Sequence, residues 1–530
     1  MPATCLVPLP VSVLPGTGAP CRLVPGARVR ALGPGARAVA ELLAAGLGPG
    51  LRLSVSDLDT NQDPEPDREP DLRLVVDPGA DPRPESYALD VDAAGVRLTA
   101  ATAEGLFRGV QTVLQLVPIG DPVLAPVHVV DHPRLRYRAA MLDVARRFVP
   151  VEDVLRFVDQ VAAYKVNTLH LHLSDDQGWR ITVDELPELT AVGGSTQAGW
   201  PPGSGAPGER WWYSRDDYAR IVAHAAARYV EVVPEIDGPG HTLAAQASLG
   251  RLSADGVPGP PYWGFEVLNP MIDLSEENRP AVRAFLRTVL STVAEQSPGR
   301  YLHLGGDEVP DPPDGWYEAY TAMANEVVTS LGRTVVAWHQ WADGSTLPAG
   351  SLVQYWGTAA TRSDLDADGT NADERLLRRA LAAGADVVMS PADRCYLDLR
   401  YDDRTAFGQD WAGLVDLRRA YDWDPVADLR GADGAPLVPP VRVVGLAAPL
   451  WADRAYHGSH ADPENLAQYP PARDYLDRMA FPRLPALAEV AWTQQSLRAY
   501  DDFATRLAGH GSRWDAAGIG WYRSPDVAWH

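Results

Sequence analysis

The chain has 530 residues, of which 46% are hydrophobic and 8% aromatic, a composition typical of a globular protein with a large core and room for two domains. No apolar run approaches the roughly 20 residues that a transmembrane helix needs, so we expect no membrane partner. The net charge of -23 disfavours nucleic acids as partners, because they are bound through basic patches.

The first segment, MPATCLVPLPVSVLPG, lacks a basic region and is interrupted by prolines, unlike a secretory signal. We therefore predict a cytoplasmic protein and leave secretion by another route open. Cys5, Cys21 and Cys395 are too few for a disulfide framework and lack the spacing of metal ligands. The acidic stretch 56–71 is expected to be an exposed loop.

Residues 1–132 are predicted to form a small α+β domain. The segment ESYALDVDAAGVRLTA, residues 85–100, alternates apolar and polar side chains on both sides of Gly95 and predicts a β-hairpin. Residues 102–117 place apolar side chains at helical spacing after Thr102 and predict a helix that Pro118 ends. None of these residues suggests a catalytic group.

From residue 133 onward, short apolar strands alternate with helical segments such as 151–164 and 281–295. We predict eight strands, at 139–144, 168–173, 230–236, 301–304, 334–338, 352–356, 386–390 and 441–448. Eight such units are typical of a (β/α)8 TIM barrel, a fold of the α/β class. The sequence therefore predicts that residues 133–530 form a catalytic barrel domain.

Polar and aromatic residues follow each predicted strand, where the active site of a TIM barrel lies. They are Arg146, Asp175, Asp176, Asp237, His241, Asp307, Glu308, Trp338, Trp356, Tyr396, Asp398, Trp451 and Asp453. Aromatic faces stack on pyranose rings, while carboxylates and arginine bind hydroxyl groups. This pattern predicts a sugar-binding pocket.

The motif HLGGDE places two acids, Asp307 and Glu308, next to each other after a strand. A standard retaining glycosidase uses two carboxylates about 5 to 5.5 Å apart on different strands. Adjacent residues cannot easily face each other across a sugar, so one of these acids must do something other than attack carbon.

The ordered motifs LDVAR, HLHLSDDQGWR, VVPEIDGPGHT and HLGGDE resemble those of the family 20 glycoside hydrolases, the β-N-acetylhexosaminidases, and the resemblance covers nearly the whole chain. It implies a retaining exo-enzyme that removes terminal non-reducing β-linked GlcNAc or GalNAc. The nucleophile would be the acetamido oxygen of the substrate itself, which attacks C1 and forms an oxazolinium intermediate. The resemblance implies an amino-sugar glycan or glycoside as substrate, with no cofactor and no metal.

By this resemblance, Glu308 is the general acid and later the base, and Asp307 orients the acetamido group. Gly305 and Gly306 would let the backbone turn so that both acids reach one site. An ionised Asp307 would also raise the pKa of Glu308, which suits an acid that works near neutral pH.

The resemblance also implies a set of residues around the sugar. Arg146 and Asp453 would hold hydroxyl groups at opposite sides of the pocket, and the pair Asp175 and His241 would support the acid/base. The others are the supporting carboxylates Asp237 and Glu235, the aromatic walls Trp338, Trp356, Trp411 and Trp451, the acetamido donor Tyr396 and the rim contact Asp398.

The chain departs from the family pattern at three positions: Asp453, where Glu is usual, Arg147, where His is frequent, and Ala447, where Glu is common. The shorter Asp453 withdraws its carboxylate by about 1.3 to 1.5 Å and leaves the sugar preference and tolerance of a 6-substituent open. The insertion 197–214, with Trp200, Trp211 and Trp212, is a candidate rim of the leaving-group site.

Two other functions stay open at this stage. One is a catalytically silent glycan-binding protein on the same fold, for which the altered Asp453 and Ala447 leave room. The other is a two-carboxylate retaining β-glycosidase with Glu235 as nucleophile. The sequence also leaves the oligomeric state open.

Overall fold

A computed structural model describes residues 5–57, 71–268, 270–358, 371–431, 434–455 and 470–530, so most of the expected acidic loop lies outside the described residues. The chain divides into two compact units. The first contains Met1–Arg136, Ala162–Lys165 and Ala488–His530, and the second contains Tyr137–Val161 and Val166–Leu487. The sequence assigned everything after residue 132 to the barrel, whereas the structure groups the last segment with the N-terminal residues.

The first unit contains a seven-stranded mixed sheet. In spatial order its strands are β1 (Ser12–Pro15), β9 (Val127–Asp131), β6 (Tyr87–Asp92), β7 (Gly95–Ala100), β5 (Asp71–Val76), β3 (Arg28–Leu32) and β4 (Ser54–Asp57). The antiparallel pairing of β6 with β7 confirms the predicted hairpin. Two further short strands, β2 (Cys21–Arg22) and β8 (Val123–Leu124), pair with each other.

Two helices, α1 (Ala36–Gly46) and α2 (Ala103–Leu116), pack on this sheet. Helix α2 confirms the helix predicted over 102–117, and the Thr102 hydroxyl accepts a hydrogen bond of 3.1 Å from the Gly105 amide at its start.

The only lysine of the chain, Lys165, is buried in the first unit. Its Nζ donates to Asp131 Oδ2 at 2.8 Å and lies 4.6 Å from the ring centroid of Trp492. Trp492 Nε1 donates to the same carboxylate at 3.0 Å. These contacts explain why the C-terminal segment belongs to this unit, because a buried carboxylate requires hydrogen-bond donors.

The second unit is a closed barrel of eight parallel strands, which confirms the predicted fold class. In order around the barrel the strands are β10 (Tyr137–Asp143), β11 (Thr168–His172), β14 (Glu231–Glu235), β15 (Tyr301–His303), β16 (Thr334–Trp338), β17 (Leu352–Tyr355), β18 (Asp386–Met389) and β19 (Val443–Leu450). A small hairpin, β12 (Ser174–Asp175) and β13 (Gly178–Trp179), follows β11.

Along the chain, the helices that follow α2 come between the barrel strands or after the last of them. They are α3 (Val151–Ala162), α4 (Glu188–Ala191), α5 (Arg215–Ala226), α6 (Leu243–Ser248), α7 (Arg279–Gln296), α8 (Trp316–Ser330), α9 (Ala372–Ala382), α10 (Ala392–Cys395), α11 (Leu417–Tyr421), α12 (Ala472–Ala480), α13 (Arg483–Trp492), α14 (Tyr500–Ala508) and α15 (Gly511–Ala516). Helices α3 and α7 confirm the two helices predicted from apolar spacing.

The barrel interior is filled with buried side chains of its strands. One cluster contains Tyr137, Ala139, Val233, Tyr301, Val336, Leu352, Val388, Val444 and Ala447. Ala447, one of the departures from the family pattern, therefore lies in the packed core. Among the described residues, every helix is too short or too polar to cross a membrane.

Candidate active site

A cavity of about 530 Å³ opens where the barrel strands end. Most of the predicted site residues line it: Arg146, Asp175, Asp237, His241, Asp307, Glu308, Trp356, Tyr396, Trp411, Trp451 and Asp453. Asp176, which the sequence placed at the end of its strand, also lines the cavity. The structure adds residues that the sequence did not place in the site, namely Gln177, Phe265, Glu266, Val267, Gln409 and Arg454. Of the predicted residues, Glu235, Trp338 and Asp398 do not line this cavity.

The Gly-Gly turn after β15 brings Asp307 and Glu308 to the cavity. Gly305, Gly306 and Glu308 have φ values of 64°, 95° and 50°, in the left-handed region that favours glycine. A Cβ atom on Gly305 would lie 1.6 Å from Asp237 Oδ1. The Gly306 amide donates to that same oxygen at 3.0 Å, so the absence of side chains lets the turn close on the Asp237 carboxylate.

A line of charged groups starts at Glu308. His241 Nε2 lies 3.4 Å from Glu308 Oε2, and His241 Nδ1 lies 3.6 Å from Asp175 Oδ1. The other Asp175 oxygen lies 2.6 Å from the Arg146 guanidinium and 2.8 Å from His172 Nε2. Burial lowers the pKa of His241, but Asp175 and Glu308 outweigh burial and raise it well above its usual value. His241 is therefore an imidazolium in the unliganded site.

The pKa values of the adjacent acids shift in opposite directions. Burial raises the pKa of Asp307 to about 7, with a further increase from the Glu308 charge. The hydrogen bond to His241 lowers the pKa of Glu308. The expectation that Glu308 has the raised pKa is therefore wrong for the unliganded protein, because Glu308 is half-exposed and faces a cation whereas Asp307 is the more enclosed acid.

Glu235 is the centre of a hydrogen-bonded network beneath the cavity. Its carboxylate lies 2.8 Å from His170 Nε2 and 2.6 Å from His172 Nδ1, and it accepts a hydrogen bond of 3.1 Å from Trp338 Nε1. Burial raises the pKa of Glu235, but the charges of His303, His172 and His170 outweigh it and hold the pKa well below the usual range.

This network corrects two expectations. Trp338 is fully buried and packs behind Trp451, with ring centroids 5.8 Å apart, so it supports the wall of the cavity and does not form it. Glu235 is fully buried among nitrogen donors and does not line the cavity, so it cannot reach a sugar as a nucleophile. The two-carboxylate alternative therefore lacks its second acid.

Three groups of side chains among the described residues could supply metal-ligand atoms within 4.8 Å of one another. They are His170, Glu235 and His303; His172, Glu235 and Asp237; and Asp175, Asp237 and His241. The first two share Glu235, whose oxygens already accept hydrogen bonds from protein N–H groups. We interpret these groups as a hydrogen-bonded support, and the absence of a metal cofactor stays a prediction.

Aromatic rings form one wall of the cavity. Trp356 and Trp411 meet edge to face with ring centroids 6.1 Å apart, and Tyr396 lies 6.0 Å from Trp411 and 6.2 Å from Trp451. The Arg146 guanidinium lies 5.0 Å from the ring of Trp451. Burial raises the pKa of Tyr396 well above its usual value, so its hydroxyl is a hydrogen-bond donor. Such a wall suits the apolar faces of a sugar.

The side of the cavity near β19 carries Asp453 and Gln409. Gln409 Nε2 donates to Asp453 Oδ2. Asp398 is buried, and among the described residues neither of its carboxylate oxygens has a hydrogen-bond partner. Burial and the Asp453 charge raise the pKa of Asp398 well above its usual value, and burial raises that of Asp453 to about 6.

The insertion 197–214 does not contribute the rim that its tryptophans suggested. Trp200 and Trp211 pack against each other with ring centroids 6.0 Å apart, and Arg210 stacks on Trp212. None of these tryptophans lines the cavity, because their apolar surface is used in packing within the loop. The rim comes instead from residues 265–267, which belong to none of the motifs recognised in the sequence.

Arg147, the second departure from the family pattern, is used in loop packing. Its guanidinium donates to the carbonyl oxygens of Ala455, at 2.8 Å, and Pro470. It does not line the cavity.

A closed parallel barrel whose strand ends carry an aromatic wall, an arginine and a group of acids defines a TIM-barrel glycoside hydrolase. Comparison with known protein families leads to the same class of protein. The model described as "Glycosyl hydrolase family 20, catalytic domain" matches residues 135–495, and the one described as "Glycosyl hydrolase family 20, domain 2" matches residues 3–132. The chain belongs to glycoside hydrolase family 20.

Individual relatives cover most of the chain. A β-N-acetylhexosaminidase of Cellulomonas fimi is 39% identical over 462 residues, which are 86% of this chain and 84% of the relative. A β-hexosaminidase of Vibrio furnissii is 32% identical over 76% of this chain and 64% of its own length.

Solved structures also match over the whole chain. A family 20 β-N-acetylhexosaminidase of Streptomyces coelicolor A3(2) has 40% identity and a TM-score of 0.85, and covers 100% of this chain and 99% of its own. A mutant β-hexosaminidase of Streptomyces plicatus in complex with its product GlcNAc has 40% identity and a TM-score of 0.86, with coverage of 100% and 98%.

Proposed function

We propose that the protein is a retaining exo-β-N-acetylhexosaminidase that removes a terminal non-reducing β-linked GlcNAc or GalNAc by substrate-assisted catalysis. The observation that carries the proposal is the environment of the two adjacent acids. Glu308 is accessible and lies beside His241, whereas Asp307 is enclosed and its Oδ1 has no hydrogen-bond partner among the described residues. One acid is therefore free to exchange protons, and the other offers a buried acceptor for an amide N–H.

In the first step, the acetamido carbonyl oxygen of the bound sugar attacks C1, and Glu308 donates its proton to the leaving oxygen. Asp307 accepts a hydrogen bond from the acetamido N–H and stabilises the positive charge that develops on that nitrogen. The His241 imidazolium, 3.4 Å from Glu308, is within reach to supply the proton that Glu308 needs.

In the second step, a water molecule attacks C1 of the oxazolinium ion from the face that the leaving group has vacated, and the bond between C1 and the acetamido oxygen breaks, which restores the acetamido group. Glu308, now a carboxylate, takes the proton of this water as general base. Two inversions at C1 give overall retention of configuration. The mechanism uses the acetamido group as nucleophile, which fits a cavity in which Glu235 is out of reach.

The remaining cavity residues hold the sugar. Arg146, fixed by Asp175, binds the 3- and 4-hydroxyl groups, and Tyr396 donates to the acetamido oxygen. Trp356 and Trp451 enclose the acetamido methyl and the apolar ring face, while Trp411, which is 50% exposed, faces the leaving group. The activities named for the Cellulomonas and Streptomyces relatives support the same substrate class. The cytoplasmic location stays a prediction.

The test is hydrolysis of the 4-nitrophenyl β-glycosides of GlcNAc, GalNAc, 6-substituted GlcNAc and glucose, with and without a GlcNAc-thiazoline inhibitor. We expect cleavage of acetamido sugars only, blocked by the thiazoline, because the inhibitor imitates the oxazolinium ion. Cleavage of the glucoside at a similar rate would contradict participation of the acetamido group. Binding of the thiazoline without hydrolysis of any substrate would support the glycan-binding alternative instead.

A further inference from the structure

Gln409 and Asp453 form a pair on the cavity surface that no catalytic step above uses. Both residues line the cavity, and Gln409 Nε2 donates to Asp453 Oδ2. The amide oxygen of Gln409 accepts no hydrogen bond from the described residues. The pair therefore presents a carboxylate oxygen and an amide oxygen side by side.

The backbone holds Gln409 on both sides. Its N–H donates to the Asp398 carbonyl at 2.9 Å, and its carbonyl accepts from the Arg400 amide at 2.7 Å. The buried Arg483 in turn donates to the carbonyls of Leu397 and Leu399, both at 2.6 Å. These hydrogen bonds fix the backbone around Gln409, so its side-chain amide is presented to the cavity in a defined orientation.

The line of charged groups indicates which edge of the sugar meets this pair. It runs from Glu308 through His241 and Asp175 to Arg146, whose guanidinium lies 5.0 Å from the ring centroid of Trp451. Glu308 follows β15 and Asp453 follows β19, and these strands are four positions apart in the eight-stranded barrel, on opposite sides of it. C1 of the bound sugar must lie at Glu308, and C4 is at the opposite end of a pyranose ring. Asp453 and Gln409 therefore face the C4–C6 edge.

We propose that Gln409 is a specificity-determining residue whose side-chain amide, together with Asp453, binds the hydroxyl groups on the C4–C6 edge of the terminal sugar. The inference rests on the proposed function, since it uses the position of C1. The Asp453 side chain alone is short. The side-chain amide of Gln409 holds the Asp453 carboxylate in place and adds an acceptor oxygen, so the two side chains together reach further toward the sugar. The amide also offers both a donor and an acceptor, which suits a hydroxyl group.

The test combines Gln409→Leu with sugars that lack one hydroxyl group. On the 4-nitrophenyl β-glycoside of GlcNAc, we expect kcat/KM to fall about tenfold, mostly through KM, because one hydrogen bond to a hydroxyl is lost. On the 4-deoxy or the 6-deoxy analogue, whichever lacks the hydroxyl that Gln409 binds, the same substitution should change kcat/KM less than about twofold. If the 4-deoxy analogue is the insensitive one, the ratio of GlcNAc to GalNAc cleavage should also change, since these sugars differ at C4.

A uniform loss on GlcNAc and both deoxy sugars would assign Gln409 a merely structural role and overturn the inference, as would no loss on any of them. Gln495→Leu, at an exposed glutamine, is the matched control for the chemistry of the substitution. If the wild-type protein cleaves no acetamido sugar, the proposed function fails. Calorimetric binding of GlcNAc and its two deoxy analogues to wild type and Gln409→Leu then tests this inference by itself, with the same pattern expected in Kd.

A second variant, Gln409→Glu, keeps the size of the side chain and places a carboxyl group beside Asp453. Two ionised carboxylates repel, so we expect KM for the GlcNAc substrate to be near the wild-type value at pH 5 and to rise relative to wild type by pH 8. A KM ratio between variant and wild type that does not change with pH would contradict the contact between these two side chains.

Discussion

At the residue scale, the catalytic proposal depends on two neighbouring acids in unlike environments. Glu308 is accessible and contacts the His241 imidazolium, whereas Asp307 is enclosed and has an elevated pKa. Sequence position alone does not distinguish them, because adjacent residues share one segment of chain. Their different surroundings assign one to proton transfer and the other to charge stabilisation.

We expect Glu308→Gln to lower kcat by about 10²–10⁴-fold on an N,N′-diacetylchitobiose substrate, because an amide cannot transfer a proton to the leaving oxygen. The loss should be much smaller on a substrate with an activated leaving group that departs without protonation. Steady-state kinetics on both substrates check this. Glu318→Gln, at an exposed carboxylate, is the control. If Glu308→Gln loses as much activity on the activated substrate as on the disaccharide, Glu308 is not the general acid.

We expect Asp307→Asn to increase the free energy of unfolding more at pH 8 than at pH 4.5. The pKa of Asp307 rises from 3.8 to about 7 on folding, so between these values the unfolded chain releases the proton first and wild-type stability falls as pH rises. The asparagine variant has no proton to release, and its advantage should grow by on the order of 1–3 kcal/mol.

Urea unfolding of wild type and Asp307→Asn at the two pH values measures this difference. Asp311→Asn, at an exposed neighbour, controls for the removal of one negative charge. If the stability advantage of Asp307→Asn over wild type shrinks toward pH 8, Asp307 is stabilised as a carboxylate in the unliganded fold.

At the scale of the element, the strand followed by Gly305 and Gly306 is the feature that places both acids. A short strand, β15, ends at His303, and the left-handed turn closes against Asp237 at the end of β14. The sequence predicted this strand and its two glycines from the apolar run and the motif. It did not reveal that Asp237 is the group that approaches Gly305, because that contact joins two different strands.

We expect Gly305→Ala to abolish most activity and to lower stability by more than Gly315→Ala. Both glycines have φ values in the left-handed region, 64° and 74°. A Cβ atom at Gly305 would meet Asp237 Oδ1, whereas one at Gly315 has open space around it. Gly315→Ala should therefore cost only the backbone strain of about 1–2 kcal/mol and retain activity.

Thermal unfolding and kcat/KM on the 4-nitrophenyl GlcNAc substrate measure both effects. Equal behaviour of the two alanine variants would mean that the turn tolerates a side chain and that Asp237 does not fix it.

At the scale of the whole molecule, the cavity depends on contacts between segments that are far apart in sequence. Arg483 is fully buried at the start of α13, and its guanidinium donates to the carbonyls of Leu397, 86 residues away, and Val415. It also lies 3.6 Å from the ring centroid of Tyr401. This single side chain fixes the loop after β18 that carries Tyr396 and Asp398.

We expect Arg483→Leu to reduce the free energy of unfolding by about 3 to 5 kcal/mol, because several buried carbonyl groups lose their donor. The KM for GlcNAc substrates should also rise in the protein that remains folded. Urea unfolding and steady-state kinetics provide the two measurements, with Arg287→Leu at an exposed arginine as control. A variant as stable as this control would show that the loop is held by other contacts.

The sequence by itself determined the fold class and the acids of the site. Apolar strands that alternate with helices define a barrel, and residues that follow the strands must lie at its C-terminal end, so Arg146, Asp175, His241, Asp307 and Glu308 could be predicted to meet. Local order along the chain is sufficient for these conclusions, because both rules depend only on spacing.

Only the tertiary structure decided which side chains reach the cavity. Trp338 turned out to be buried behind Trp451, and the tryptophans of the insertion 197–214 pack on each other. Gln409, in contrast, lies on the cavity surface beside Asp453, although no motif contains it. Orientation and burial depend on partners that are distant in sequence, and spacing along the chain carries no information about them.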